Sequence, residues 1–248
     1  MREVEALSAL ALAWEQFRFE RKLFWRNPSA AFFNFLLPLL LLVLTASVFG
    51  DDRDLLDSLV PGIAGMSIMA TTFNALAFNL TFLREQGILK RVRGTPMPAR
   101  SYLGGLLGSA VANSFVQVGL VVAIGHLAYG VGLPPEPVRL VVVVALGVAC
   151  FGALGIAFSH AIPNFDAAPA YANAVFLPTI LISGVFYSSE SLPTALVGIA
   201  EVLPLEHTID LLKTTMVEGG PLSGAAIGVV AAWTAGGAYL AVRFFRWE

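Results

Sequence analysis

The first long apolar stretch of the chain reads AAFFNFLLPLLLLVLTASVF at residues 30–49, and it contains no charged residue. An α-helix needs about 20 mostly apolar residues to cross roughly 30 Å of hydrocarbon, so this stretch is long enough to span a membrane. Five more stretches of this kind follow, at residues 60–82, 102–129, 138–160, 170–187 and 222–242. The sequence therefore predicts an all-α integral membrane protein with six transmembrane helices.

The composition also excludes an ordinary soluble domain. Of the 248 residues, 57% are hydrophobic and 13% are charged, whereas soluble domains are roughly 45–50% apolar and about 25% charged. The formal net charge is −2, so there is no basic excess that would indicate a nucleic-acid partner. The single cysteine, Cys150, excludes an intramolecular disulfide framework and a multi-cysteine metal site.

The distribution of basic residues predicts the orientation of the spans. Twelve of the 15 Lys and Arg residues lie in the N-terminal segment, in the loop between the second and third spans, or at the C-terminus. Because loops rich in Lys and Arg stay on the cytoplasmic side of a membrane, we expect both termini to be cytoplasmic. The abundance of Ala, Val and Gly favours a bacterial source, and we expect a multi-pass protein of the bacterial cell (inner) membrane.

Residues 1–28 precede the first span and predict a separate amphipathic helix. The apolar side of that helix holds Leu7, Leu10, Trp14, Phe17, Phe24 and Trp25. Charged side chains such as Arg18 and Lys22 fall on another side, and aromatic residues beside basic ones are typical of a helix lying in the membrane interface. The alternative is a cytoplasmic extension of the first span. In both cases residues 29–248 form the six-span transmembrane domain.

A shorter apolar stretch, residues 192–203, lies between the fifth and sixth spans. It is too short to cross a membrane, it carries Glu201, and Pro204 closes it. It therefore predicts a re-entrant or interfacial helix before the last span, within an extracellular segment at residues 188–221.

The chain carries no motif for catalysis or for nucleotide binding. It has no P-loop, no Ser-centred nucleophile elbow and no His-Glu-x-x-His helix. Its three histidines, His126, His160 and His207, lie in different predicted segments, without a partner at metal-ligand spacing. We therefore predict no catalytic residue, no metal site and no cofactor in this chain. The spans also carry almost no charge, which argues against a proton-coupled carrier.

The loop after the second span reads REQGILKRVRGTPMP at residues 84–98. A basic loop can serve only to set topology, but the order of elements in this loop is more specific. It resembles the Arg-Glu-x-Gly-Thr-Leu-Glu-x-Leu-x-x-Thr-Pro signature of the type-2 ABC transporter permeases. The matching positions are Arg84, Glu85, Gly87, Leu89, Thr95 and Pro96, and the departures are Ile88, Lys90 and Val92. A second block that is similar to the family lies at residues 176–178, 182–186, 192–193 and 203–205.

The resemblance implies a half-transporter without its own nucleotide site. Two such permease subunits would pair within the membrane lipid, as a homodimer or a heterodimer. Two copies of a separate cytoplasmic ABC ATPase would bind ATP and Mg and dock on the coupling loop, residues 84–101. The coupling residues that the resemblance implies are Arg84, Glu85, Gly87, Leu89, Arg91, Thr95 and Pro96.

Polar residues inside the spans are candidates for a substrate pathway, because polar atoms that face lipid are costly. The candidates are Ser67, Thr71, Asn74, Phe78, Asn113, Gln117, Asn173, Thr179 and Ser183. The alternative for each polar member is a hydrogen bond that holds two helices together.

The apolar residues around these candidates favour an amphiphilic substrate over a sugar or a bare ion. The predicted function is the permease of an ATP-driven exporter for a drug-, antibiotic- or lipid-like amphiphile, as in multidrug efflux and antibiotic resistance. The alternative within the family is a lipid-linked polysaccharide exporter. A stand-alone channel or a secondary transporter is less favoured, because neither accounts for the loop at residues 84–98.

Overall fold

A computed structural model of the chain describes residues 2–49, 52–186 and 194–244, and these residues form helices and loops without a β-strand. The α-helices of this part are α1 (Arg2–Trp25), α2 (Pro28–Phe49), α3 (Arg53–Met69), α4 (Ala75–Glu85), α5 (Ile88–Arg93), α6 (Ala99–Tyr129), α7 (Pro137–Phe158), α8 (Ala168–Ile182), α9 (Thr194–Ala200), α10 (Pro204–Lys213) and α11 (Gly224–Phe244). A π-helical turn, Ala70–Asn74, joins α3 to α4, and another, Thr214–Glu218, extends α10. The prediction of an all-α chain is confirmed for the described residues.

Four helical segments of the described residues are long and apolar enough to cross a membrane. They are Arg53–Glu85, Ala99–Tyr129, Pro137–Phe158 and Gly224–Phe244. Two shorter apolar helices, Asn34–Val48 and Ala168–Ile182, lie at the first and fifth predicted spans. Four of the predicted spans therefore meet the requirement for length and composition. The total of six and the side of the membrane on which the termini lie remain predictions.

The fifth predicted span is shorter in the structure than in the sequence analysis. Its helix, α8, ends at Ile182, and Gly184 follows with a φ of 65°. A glycine in this left-handed conformation commonly ends a helix, since other residues have a Cβ that opposes it. Residue 187, the predicted end of the span, lies outside the described residues.

Helix α3 lies at the centre of the bundle. It packs against α2, α6, α7 and α10, and its residues from Leu59 to Met69 are all buried. Leu59, Ile63 and Ile68 belong to one apolar cluster with Phe151 of α7. This cluster extends through most of the bundle and fixes α3 relative to the outer helices.

The N-terminal helix α1 packs lengthwise on the first half of α6. The two helices run in the same direction, because the Ser101 hydroxyl donates to the Ala9 carbonyl at 2.9 Å and Arg21 donates to the Asn113 side chain twelve residues further along both helices. Gly105 allows the close approach, since a Cβ at this position would lie 2.5 Å from the Cβ of Gln16.

The predicted apolar side of α1 is packed against α6 in one part and exposed in another. Phe17 packs beside Gly108 of α6, whereas Leu10, Trp14 and Trp25 are exposed. The helix itself is present where the sequence predicts one. Its place in the membrane interface remains a prediction, to which the exposed aromatic side chains are suited.

The described part of the segment before the last span, residues 194–221, contains α9 and α10. Pro204 begins α10, with Leu203 as the preceding extended residue, and α10 packs against α3 and α11. Residues 188–193 of the predicted re-entrant segment lie outside the described residues. The re-entrant position of this segment therefore remains a prediction.

Candidate coupling loop and pathway residues

A tight turn at Gly87 separates α4 from the short helix α5. The Gly87 amide donates to the Arg84 carbonyl at 3.0 Å, and Gly87 has a φ of 66°. No other group lies within 4 Å of the place where its Cβ would be. Glycine is therefore required here by the backbone conformation, which L-residues with a Cβ adopt at a cost, and not by lack of space.

Leu89 anchors α5 to the bundle. Its side chain is 2% exposed and belongs to an apolar cluster that includes Leu80 of α4 and Tyr102 and Leu106 of α6. We call this group the Leu89 cluster; it also contains Leu76, Ala110, Ile156 and Ala241. Leu89 therefore joins α5 to the C-terminal part of α4 and to the N-terminal part of α6.

Arg84 binds the loop that joins α7 to α8. Its guanidinium donates to the Ser159 carbonyl at 3.0 Å and to the Ile162 carbonyl at 2.5 Å. These carbonyls belong to the loop that follows the end of α7. A charged donor satisfies them more strongly than a neutral one.

Glu85 binds the same loop at a second point. Its carboxylate accepts a hydrogen bond from the backbone N–H of Phe165 at 2.5 Å. Nearby, the rings of Phe82 and Phe165 meet edge to face, with centroids 5.2 Å apart. The Arg-Glu pair therefore joins the end of α4 to the entire segment between α7 and α8.

Thr95 and Pro96 follow the end of α5. The Thr95 hydroxyl donates to the Val92 carbonyl at 2.6 Å and accepts from the Met97 amide at 3.4 Å. Pro96 and Pro98 lie between α5 and α6, and α6 begins directly after Pro98. Since proline cannot donate a backbone hydrogen bond, this arrangement prevents α5 from continuing into α6.

The outer surface of the loop is basic. Lys90, Arg91 and Arg100 are exposed, whereas Leu89 on the opposite side of α5 is buried. The described part of the loop thus presents cations outward and an apolar anchor inward. Such a surface is complementary to an acidic partner.

Four of the predicted pathway residues lie where α3 meets α6. The Thr71 and Ser114 hydroxyls are 2.7 Å apart, and Ser67 donates to the Ile63 carbonyl of its own helix at 2.6 Å. Asn113 accepts from Arg21 of α1, and Gln117 donates to the Phe35 carbonyl of α2 at 3.3 Å. Most of these side chains therefore serve helix packing.

The remaining five predicted pathway residues do not join them. Thr179 donates to the Val175 carbonyl of α8 at 2.7 Å, Asn173 on the same helix is exposed, and Phe78 of α4 is half-buried. The side-chain oxygen Oδ1 of Asn74 and the hydroxyl of Ser183 are buried and have no hydrogen-bond partner among the described residues. The hydrogen bonds of the described residues do not connect all nine of them, and their role in a substrate pathway remains a prediction.

Two cavities lie beside these residues. The larger, of about 750 Å³, is mostly apolar and lies between α7, α8, α11 and the turn Ala70–Asn74; Phe73, Phe158, Thr179 and Trp233 are among its lining residues. The smaller, of about 450 Å³, lies between α1, α2, α4 and α6 and contains Thr71 and Asn113 in its lining. We call it the α1 cavity.

The sequence analysis missed several residues of the α1 cavity. Glu20, Asn34 and Ser109 line it beside Asn79. Burial raises the pKa of the Glu20 carboxyl, although a hydrogen bond from Gln16 at 2.7 Å opposes the change. Burial also lowers the pKa of the Arg21 guanidinium. The sequence does contain an indication for Glu20. On a helix of 3.6 residues per turn, Glu20 lies next to the apolar side of α1 and away from the charged side with Arg18 and Lys22.

Comparison with known proteins identifies the family of the chain. Residues 10–217 match the family model of the ABC-2 type transporter. The chain is 25% identical to nodulation protein J of Rhizobium meliloti (strain 1021) over 190 aligned residues. This alignment covers 74% of this chain and 70% of that protein. The chain is 32% identical over 87 residues to nodulation protein J of Rhizobium leguminosarum bv. viciae, which covers 35% of this chain and 33% of that protein. The matched stretches thus span 33% to 70% of these two relatives.

The family match agrees with the resemblance of the loop at residues 84–98, and it covers this loop and most of the described bundle. An ABC-2 membrane domain is a transport subunit that normally works with a separate ATPase, and this accounts for a chain with several apolar helices and no P-loop. The chain belongs to the ABC-2 type transporter family.

Proposed function

We propose that the chain is the permease subunit of an ATP-driven exporter in a bacterial cell membrane, with both termini in the cytoplasm. Two permease subunits, identical or different, form the membrane part. Each docks one copy of a cytoplasmic ABC ATPase, which binds the ATP and Mg, on the loop at residues 84–101. The substrate is an amphiphile that enters from the cytoplasm or from the inner leaflet.

The contacts of the signature loop are the observation that supports this proposal. Leu89 is buried in the Leu89 cluster, and Arg84 and Glu85 bind the segment between α7 and α8 at three backbone groups. A loop that only sets topology needs basic charge and no such attachment. These attachments suit a loop that transmits a displacement of the ATPase to the membrane helices.

The same contacts suggest how ATPase closure moves the spans. A push on α5 reaches α4 and α6 through Leu89, and it reaches α7 and α8 through Arg84 and Glu85. Packed helices move as rigid bodies between discrete arrangements. The loop therefore acts on several membrane helices at once, which favours alternating exposure of a pathway over local opening of a pore.

The cavities support an amphiphilic substrate. The larger cavity, of about 750 Å³, has a mostly apolar lining with Thr179 and Arg84 among its few polar residues. A polar polysaccharide would find few partners there, because buried hydroxyl groups need hydrogen bonds. A lipid-linked polysaccharide exporter remains the second candidate, and the apolar cavity would then hold its lipid part.

Purification of the tagged chain from its own membrane in mild detergent tests the proposal. We expect a P-loop ATPase to accompany the chain in equal amount, and we expect ATP hydrolysis by the purified complex. A chain that emerges alone, even after crosslinking in the membrane, would contradict the proposal and favour a channel or a secondary transporter.

A further inference from the structure

The α1 cavity is a polar space that none of the predicted coupling residues lines. It has a volume of about 450 Å³, which is within the range of roughly 300–1,000 Å³ that is typical of small-molecule sites. Its polar lining includes Glu20, Asn34, Thr71, Asn79, Ser109 and Asn113. These residues come from α1, α2, α6 and the segment Arg53–Glu85, so the cavity exists only in the folded chain.

Glu20 supplies the formal charge of this cavity. No other ionisable side chain is among its lining residues in the described part of the chain. The adjacent Arg21 does not pair with Glu20: it donates to the side-chain oxygen of Asn113 in the cavity wall and lies over the rings of Phe24 and Trp25, 5.8 Å and 5.6 Å from their centroids. The carboxylate of Glu20 receives a hydrogen bond from Gln16 but has no cation beside it among the described residues.

A partly buried carboxylate without a cation is costly, and a ligand that carries a cation offsets this cost. The amide oxygens of Asn34 and Asn79 in the lining can accept hydrogen bonds from an ammonium group, which has only donors to offer. Leu23, Phe24 and Leu106 form an apolar part of the wall. The cavity is thus complementary to a molecule with a protonated amine at one end and an apolar body.

We propose that the α1 cavity binds the protonated amine group of an amphiphilic cation, with Glu20 as its counter-charge. This inference rests on the proposed exporter function and names the class of its substrate. The cavity lies beside residues 106–113 of α6, roughly 10–20 Å along the helix axis from Ala99.

The cavity is also joined to the coupling loop. Leu76, Leu106 and Ala110 line the cavity and belong to the Leu89 cluster. A displacement of α5 therefore moves one wall of the cavity. Binding of the amine and docking of the ATPase therefore act on the same apolar contacts.

Binding of a matched pair of probes to the full-length chain in lipid nanodiscs tests this inference. The first probe is dodecylamine with a dansyl group at the far end of its chain, and the second is the same molecule with the amine acetylated. We expect the wild-type chain to bind the amine roughly ten-fold more tightly than the amide, since a charged hydrogen bond is lost in the amide. Equal affinity for the two probes would overturn the inference without any need for a variant.

Two variants of α1 locate the site. Glu20→Gln keeps the shape of the side chain and should weaken amine binding roughly ten-fold, while leaving amide binding unchanged. Glu15→Gln is the matched control, because Glu15 is exposed on the same helix and pairs with Arg18 at 3.2 Å. An unchanged affinity of Glu20→Gln for the amine would overturn the inference, and so would equal losses in the two variants.

The binding measurement needs no ATPase, so its result is independent of the proposed function. A complex that hydrolyses ATP and exports other compounds, but whose permease does not discriminate the two probes, would overturn the assignment of the cavity alone. A chain that binds the amine through Glu20 but associates with no ATPase would contradict the exporter proposal and support the amine site.

Discussion

Arg84 and Glu85 are adjacent in the sequence and carry opposite charges, yet they do not act on the same group. The guanidinium donates to two carbonyl oxygens after the end of α7, and the carboxylate accepts from a backbone N–H shortly before α8 begins. The charges match the groups, because a guanidinium has only donors and a carboxylate only acceptors to offer. The pair therefore stabilises both sides of one connection.

Removal of the Glu85 carboxylate should loosen this connection at Phe165. In Glu85→Ala the Phe165 N–H loses its acceptor, and we expect its hydrogen exchange to become faster within residues 159–167. Glu85→Gln is the control, because its amide oxygen can still accept the bond, and it should remain closer to the wild type. Exchange measured by mass spectrometry checks this, and equal protection in Glu85→Ala would contradict the role of the carboxylate.

The carboxyl of Glu20 should make stability depend on pH. Burial raises the pKa of Glu20, so between its ordinary value and the raised value the folded chain keeps a proton that the unfolded chain has lost. Stability therefore falls as the pH rises through this window. We expect the temperature of thermal unfolding to decrease from mildly acidic to neutral pH, and Glu20→Gln to reduce that decrease. Glu15→Gln should keep the wild-type slope; if Glu20→Gln also keeps it, the assignment is wrong.

Among the elements, α5 depends most on the turn before it. The helix contains only six residues, too few to be stable alone, so the Gly87 turn and the burial of Leu89 hold it in place. The positions of the basic side chains on the outer surface of α5 therefore depend on the Gly87 turn and on the burial of Leu89.

Gly87→Ala tests the turn. A Cβ at a φ of 66° costs about 1–2 kcal/mol, which in a chain of this size lowers the unfolding temperature by roughly 2–4 °C per kcal/mol. Gly94→Ala is the matched control, since Gly94 ends the same helix with a φ of −76°. Thermal unfolding in detergent measures both, and similar temperatures for the two variants would contradict the explanation.

The contact between α1 and α6 depends on the absence of a side chain at Gly105. In Gly105→Ala the Cβ would lie 2.9 Å from the Phe17 backbone nitrogen, so α1 must move away. We expect trypsin to cleave α1 faster at Arg18 and Lys22. Gly119→Ala on the same helix is the control, because nothing lies within 4 Å of its Cβ position. Equal cleavage of the two variants would show that α1 is not held by this contact.

On the scale of the whole molecule, the sequence predicts features formed by consecutive residues but not features formed by segments that are far apart in the chain. The apolar stretches predict the helices because the length of a span is a property of about 20 consecutive residues. The loop at residues 84–98 predicts the family in the same way. The acceptors of Arg84 are backbone carbonyls 75 and 78 residues further along the chain, and no side-chain motif marks them. The α1 cavity is assembled from four separate segments, so a search along single helices found only Thr71 and Asn113.

A whole-molecule property, the docking of an ATPase on the basic surface of α5, is the central claim. The most direct measurement places a photoreactive benzoyl-phenylalanine at Arg91 and, as a control, at exposed Leu133 in the loop between α6 and α7, and crosslinks the protein in its native membrane. The account predicts a covalent adduct with a P-loop ATPase from position 91 and none from position 133. Adducts without a P-loop ATPase at position 91, or the same ATPase adduct from both positions, would contradict it.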